Sequence, residues 1–142
     1  KEACIDKDFV IMARSDAYAN EGMDGLLKRL EAYIKAGASM IFPEALDSLN
    51  AYQKVSQSFS IPMLANLTEF GKTPSFHVDE LKANGVSLVL YPLSAARMMN
   101  KAALEAYQTI KSDKSAEKVI NKMQTREELY DFLNYDGLEI PK

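Results

Sequence analysis

Four consecutive strand-helix units of an α/β fold are predicted from the sequence, on three observations. Short apolar runs alternate with apolar stripes at helical spacing, which implies parallel strands joined by right-handed crossovers. Each run closes on a polar group: FVIMAR on Arg14, MIFPE on Glu44, MLANLT on Asn66 and Thr68, and VSLVLYPLS on Ser94. No glycine-rich phosphate fingerprint follows the first run. The last two observations lean toward a (β/α)8 barrel, whose chemistry sits where strands give way to loops, over a doubly wound sheet; periodicity by itself does not choose. Four strands do not close a barrel. The prediction is therefore half of one, with edge strands and apolar inner faces that need the other half or a partner chain.

Residues 9–13, Phe-Val-Ile-Met-Ala, form a continuous apolar run suited to a strand buried on both faces. Leu26, Leu27, Leu30, Tyr33 and Ile34 then recur at spacings of three and four, predicting a helix over 23–36 that stops at Gly37 in a left-handed cap. The unit repeats as strand 39–42, helix 46–59 with Leu46, Leu49, Tyr52, Val55 and Phe59 on one stripe, strand 62–65, helix 78–84, strand 86–91 and helix 95–111. In the last helix Met98, Met99, Ala102, Ala103, Tyr107 and Ile110 read as core-facing residues. Past residue 112 the chain turns to polar linker and short helices, and Thr125-Arg126-Glu127-Glu128 fits a capping box leading into Leu129, Phe132 and Leu133. The organisation expected is a half-barrel over 1–112 and a helical extension over 113–142, packed outside the barrel or on a neighbouring subunit.

A chain of 142 residues is long enough for one domain whose core removes roughly 68–70% of the unfolded surface from water. With 47% hydrophobic and 26% charged residues it falls in the soluble globular class. A net charge of -3 with scattered lysines gives no electrostatic footprint for nucleic acid. The single cysteine, Cys4, makes no internal disulfide, and no apolar segment nears the roughly 20 residues of a membrane span. A reducing cytoplasm is expected, with neither nucleic acid nor membrane as partner. The start, Lys1-Glu2-Ala3-Cys4, has neither an initiator methionine nor a charged-then-apolar leader, so a piece from the middle of a longer chain is expected.

Each strand-end residue has a functional reading and a plainer one. Arg14, aimed by Asp16, suits a bidentate clamp on a substrate carboxylate, or forms a strand-end salt bridge. Glu44, held by the turn after Pro43, suits a metal or its waters, or complements the dipole of helix 46–59. Asn66 and Thr68 flank Leu67, so in extended chain both point the same way and present an amide and a hydroxyl together; the alternative is a local turn. The segment Glu69-Phe70-Gly71-Lys72-Thr73-Pro74 reads as a loop able to act as a lid, or as an ordinary connection. His77, the sole histidine, reads as a solvated loop residue, and one histidine makes no His-based metal cluster. Arg97, beside Ser94 as N-cap, and Arg126 both sit where a cation opposes the helix dipole, which suits anion binding or a solvent-facing side chain.

Taken together, DFVIMARSDA, FPEA, LANLTEFGKTP, LYPLSAARMMN and MQTRxELYDxLNY resemble the isocitrate lyase and phosphoenolpyruvate mutase superfamily. Within it they are similar to the C-terminal half of the branch that splits a 2-hydroxy tricarboxylate into pyruvate and succinate with Mg2+. The resemblance covers nearly the whole chain. It implies the C-terminal half of a TIM-type (β/α)8 barrel and a homotetramer whose late helices are exchanged between neighbours. It carries over a substrate-binding set: Arg14, with Ser15 where threonine is common, Glu44, the Asn66-Leu67-Thr68 triplet, Arg97 and Arg126. Glu44 is expected to reach the metal only through water. The superfamily's metal-binding aspartates and its Lys-Lys-Cys-Gly-His motif, whose cysteine is the general acid, have no counterpart in this sequence; Cys4 lies elsewhere and takes no role. The resemblance also admits a phosphonopyruvate-type or oxaloacetate-type hydrolase or an isocitrate lyase. Outside catalysis, it admits a truncated half-barrel that binds organic acids or pairs with a full subunit.

Overall fold

The computed structural model describes residues 1–135, which form two compact units, one over Lys1–Ala95 and one from Ala96 onward. The elements follow in order: β1 (Met12–Ser15), α1 (Tyr18–Lys35), β2 (Met40–Pro43), α2 (Leu49–Ser58), β3 (Leu64–Asn66), α3 (Val78–Ala83), β4 (Leu88–Leu90), α4 (Ser94–Asp113), a 3-10 turn (Glu117–Lys122) and α5 (Arg126–Leu133). All four predicted strand-helix pairs are present.

In the first unit β1 pairs parallel with β2, Met12 opposite Met40 and Arg14 opposite Phe42, and β3 pairs parallel with β4, Leu64 opposite Leu88 and Asn66 opposite Leu90. One parallel bridge, Ile41 to Met63, joins the two ribbons, with the Ile41 N–H donating to the Pro62 carbonyl at 3.0 Å. The strands thus lie in chain order, without the reversal that marks a doubly wound sheet.

Strand alternation then decides which side is the core. Ile41, Pro43, Met63 and Ala65 point to the helices and are buried with Leu26 and Leu30 of α1, Tyr52 and Val55 of α2, and Leu81 of α3. Each buried Leu, Ile, Val or Met side chain among them contributes about 1.5–3 kcal/mol. Tyr52 is 1% exposed and stands edge-on to Phe76, ring centroids 6.3 Å apart. Met12, Arg14, Met40, Phe42, Leu64, Asn66, Leu88 and Leu90 face the other way by the same alternation. That face carries no helix of this unit, and Leu88 and Leu90 stay 46% and 39% exposed.

Several boundaries differ from the predicted ones, for reasons in the hydrogen bonding. Phe9 and Val10 are exposed and outside β1, because its partner β2 has no chain to offer below Ser39. There α1 closes in a left-handed cap: Gly37 has φ +105°, its N–H donates to the Ile34 carbonyl, and the Ala38 N–H donates to the Tyr33 carbonyl. β1 instead runs on through Arg14 to Ser15, so Arg14 lies within the strand rather than after it. Helix α1 starts at Tyr18, five residues earlier than the predicted start at 23, and breaks at Gly22. β4 starts only at Leu88 because the Val86 N–H is taken by the Leu81 carbonyl at the end of α3. His77 is not a plain loop residue: its ring accepts the Asp79 N–H and the Glu80 carboxylate accepts the His77 N–H, capping α3.

In the second unit the capping box forms as predicted, with the Glu128 N–H donating to Thr125 Oγ1 at 3.1 Å and the Thr125 N–H to Glu128 Oε2 at 2.7 Å. The reading of α4 as core-facing is overturned: the helix holds no buried residue, and Met98, Met99 and Tyr107 are 73%, 67% and 73% exposed. An apolar stripe records a face that favours burial, not a partner that supplies it. Leu129, Phe132 and Leu133 of α5 are likewise exposed. The last seven positions of the predicted extension, 136–142, lie outside the described residues.

Candidate functional site

Arg14, Glu44 and Asn66 come together at the C-terminal ends of β1, β2 and β3. The Ile41–Met63 bridge sets this up, since it places Glu44 level with Asn66 and on the face that Arg14 shares. The Glu44 N–H donates to the Ser15 carbonyl at 3.0 Å, extending the β1–β2 ladder, and Ala45 at φ +59° then turns the chain away. A non-glycine residue in that region is uncommon and is held there by its surroundings.

Arg14 is fixed from three sides. Its Nε and Nη2 donate to the two Asp16 carboxylate oxygens at 3.0 and 2.8 Å, a fork-on-fork pair. Nη2 also lies 3.3 Å from Glu44 Oε2, and the guanidinium carbon sits 4.9 Å from the ring centre of Phe42, its register partner. The hydrogen bonds from Arg14 hold the Asp16 carboxyl below the usual carboxylate range, and the same bonds raise the Arg14 guanidinium. Asp16 is well exposed, so water screens much of that pairing, whereas the Glu44 side chain is only 21% exposed.

The same Glu44 oxygen accepts the Asn66 side-chain amide at 3.4 Å. Asn66 Oδ1 is then left screened from water with no hydrogen-bond partner among the described residues. A buried acceptor in that state is what an incoming hydroxyl or ammonium donor satisfies. Glu44 lies five residues before α2, whose N-cap is Ser48, so it opposes Arg14 and Asn66 rather than the helix dipole. Leu67 continues the β3–β4 pairing through its N–H to the Leu90 carbonyl at 2.9 Å, and its side chain is core, leaving only backbone for a ligand. Thr68 follows, half-buried, with its carbonyl accepting the Gly71 N–H at 3.0 Å.

Arg97 in the first turn of α4, half-buried, and Arg126 at the start of α5, exposed, belong to the second unit. A hollow of about 320 Å³ opens beside Arg14 and Asp16, lined also by Asn20, Glu21 and Arg29. Sequence reasoning missed Phe42, which is hidden inside an apolar run; the signal that finds it is strand alternation counted back from Glu44. It also missed that the Ser94 hydroxyl donates to the Glu69 carboxylate.

Among the described residues no three His, Cys, Asp or Glu side chains are grouped to hold a metal ion. Glu44 already opposes Arg14, and Mg2+ demands near-octahedral oxygen ligation. The described residues therefore do not make a first shell for Mg2+. What the cluster does offer is a cation held rigidly by carboxylates, an amide carrying a spare acceptor, and a neighbouring hydroxyl residue: the groups that recognise a carboxylate bearing a hydroxyl.

A sequence-family profile described as phosphoenolpyruvate phosphomutase matches residues 1–111. The 2-methylisocitrate lyase of Escherichia coli (strain K12) is 49% identical over 134 residues, covering 94% of this chain and 45% of that protein. The chain thus spans about half the length of the curated relatives it matches. Among solved structures, 2,3-dimethylmalate lyase, described as a member of the PEP mutase/isocitrate lyase superfamily, superposes with a TM-score of 0.79 at 30% identity, covering 91% of this chain and 44% of that one. A phosphonopyruvate hydrolase structure in complex with oxalate and Mg2+ shares the fold at a TM-score of 0.75, 23% identical, covering 94% of this chain and 48% of that one.

Proposed function

From the chain's membership of the phosphoenolpyruvate phosphomutase family, which it belongs to by the match over residues 1–111, we propose that it is the carboxylate-recognising C-terminal half of a (β/α)8-barrel lyase. The reaction is cleavage of 2-methylisocitrate to pyruvate and succinate, in the methylcitrate route of propionate breakdown. The observation that carries this reading is the 49% identity to a 2-methylisocitrate lyase over almost the whole chain. Four parallel strands in chain order, with polar groups collected at their C-terminal ends, support the half-barrel.

The substrate is a trianion with a hydroxyl, and binding it requires cations and donors converging on one mouth. Arg14 takes one carboxylate through the guanidinium edge that Asp16 and Glu44 leave open. Asn66, through the amide hydrogen that Glu44 does not use, and Thr68, through its hydroxyl, grip a second carboxylate. Asn66 Oδ1 accepts from the substrate hydroxyl, and Arg97 and Arg126 complete the set in the assembled enzyme. When the carbon-carbon bond breaks, the substrate hydroxyl gives up its proton to a base and becomes the pyruvate carbonyl. The electron pair moves onto the succinate half, where cations already in place stabilise it without reorganising until the proton donor protonates that carbon. Glu44 acts as the anvil of the site, holding Arg14 and Asn66 in register through one oxygen. In this proposal Mg2+ is the cofactor of the complete enzyme, and both its ligands and the proton donor lie outside this chain. A homotetramer that covers the apolar faces of α4 and α5, a division at residue 112 and a cytoplasmic location belong to the same proposal. No helix among the described residues is long and apolar enough to cross a membrane.

The test is to offer 2-methylisocitrate, isocitrate and oxaloacetate to the enzyme carrying this chain, with Mg2+, and to follow pyruvate, glyoxylate and oxalate. Pyruvate from the first substrate is expected. Glyoxylate or oxalate as the main product moves the assignment to another branch of the family, and no product from any substrate leaves a binding role alone.

A further inference from the structure

We infer that Glu69 and Ser94 are a positioning pair that fixes the Asn66–Thr68 segment to the start of α4; the catalytic consequence, though not the pair itself, rests on the lyase reading. Leu67 is held by its N–H to the Leu90 carbonyl and by a side chain 5% exposed. Immediately beyond Thr68 the chain reverses in a turn that puts Phe70, a non-glycine residue, in the left-handed region. Phe70 sits at φ +64° and is 97% exposed. Gly71 closes the turn onto the Thr68 carbonyl so tightly that a Cβ there would lie 2.8 Å from that oxygen.

Such a turn relaxes unless something outside it holds it. The Ser94 hydroxyl, on the first residue of α4, donates to Glu69 Oε1 across 25 residues of sequence. Glu69 immediately follows Thr68, and Ser94 lies four residues past Leu90, the register partner of Asn66. The β3–β4 pair is therefore tied by its ladder below the Asn66–Thr68 segment and by the Glu69–Ser94 bond above it. Neither residue needs to touch substrate: the pair sets the direction in which Asn66 and Thr68 point.

The experiment compares Ser94→Ala and Glu69→Ala, singly and together, with Ser94→Thr as the conservative replacement, in the enzyme carrying this chain. Each single alanine variant is expected to raise KM for 2-methylisocitrate about tenfold with a smaller change in kcat, the loss typical of one hydrogen bond to a charged group. The double variant should be no worse than the more damaging single one, and Ser94→Thr should restore KM. A second readout needs no turnover: the Asn66 side-chain amide signals in the unliganded enzyme shift in Ser94→Ala and return in Ser94→Thr. Unshifted Asn66 signals overturn the pairing, as does an unchanged KM in an active enzyme. So does a kcat loss that follows thermal stability and is not rescued by threonine. If the unmutated enzyme does not cleave 2-methylisocitrate, the lyase reading fails, and the Asn66 signals still decide the pair.

Discussion

Glu44 brings Arg14 and Asn66 to one point because a single carboxylate oxygen serves both, and Asp16 then takes the remaining strong geometry of the guanidinium. Replacing Arg14 with lysine keeps the charge and loses the fork. In the assembled enzyme Arg14→Lys is expected to lower kcat/KM roughly 10- to 100-fold, about 1.5–3 kcal/mol, with the melting temperature unmoved because the side chain is half in water. Steady-state kinetics beside a thermal melt checks both halves of that statement. Tyr52 provides a pH signature of the core. Burial pushes its phenol up to about 12, so the folded state resists its ionisation while the unfolded chain ionises near 10. The folded-state value is raised, so this stabilisation is complete below pH 10 and is lost as pH rises through 12, on the order of 2–3 kcal/mol over that window. Urea midpoints measured up that window should fall in the parent, and Tyr52→Phe, with no phenolic proton, should flatten the fall. At this scale Arg14, Glu44 and Asn66 were legible because each closes an apolar run. Their mutual contacts were not, because those follow from the register across the Ile41–Met63 bridge, which no single strand contains.

The helices were more legible than the strands, and hydrogen bonding explains why. A helix carries its own partners, so the stripe from Leu26 to Ile34 locates α1 on its own, whereas a strand's ends are set by whatever its neighbour offers. β1 moved toward Ser15 because β2 begins only after the cap at Gly37, and β4 shrank to three residues because Val86 finishes α3. The cap at Gly37 is therefore a boundary for two elements at once. Gly37→Ala forces a Cβ into a backbone at φ +105° and to 3.0 Å from the Lys1 side chain. The expected cost is about 1–2 kcal/mol, read as a lower denaturant midpoint with unchanged slope, since fold and exposed surface are retained. A midpoint unchanged within error would mean that the cap does not set the β1–β2 register. The start of α1 was missed for a related reason: the turn from Tyr18 to Glu21 precedes the left-handed Gly22, and a stripe counted through it loses phase.

In the first unit, one face of the sheet is closed by α1, α2 and α3 while the other carries Met12, Phe42, Leu88 and Leu90 with no helix of that unit over it. An apolar sheet face at this exposure is costly alone and is the expected inner surface of a barrel whose remaining strands come from elsewhere. The two situations differ in what one side chain is worth. Leu88 is 46% exposed in this chain, so Leu88→Ala removes little buried surface here and should cost less than about 1 kcal/mol. Inside a closed eight-stranded barrel the same side chain is surrounded, and its truncation should cost about 2–5 kcal/mol through lost burial and the cavity left behind. Denaturant melts of the variant, made once in the 142-residue chain and once in the enzyme carrying it, separate these outcomes. A large difference places Leu88 in an interior that this chain only half builds. Equal small losses in both would mean that the open face stays open, and the half-barrel reading would fall with it.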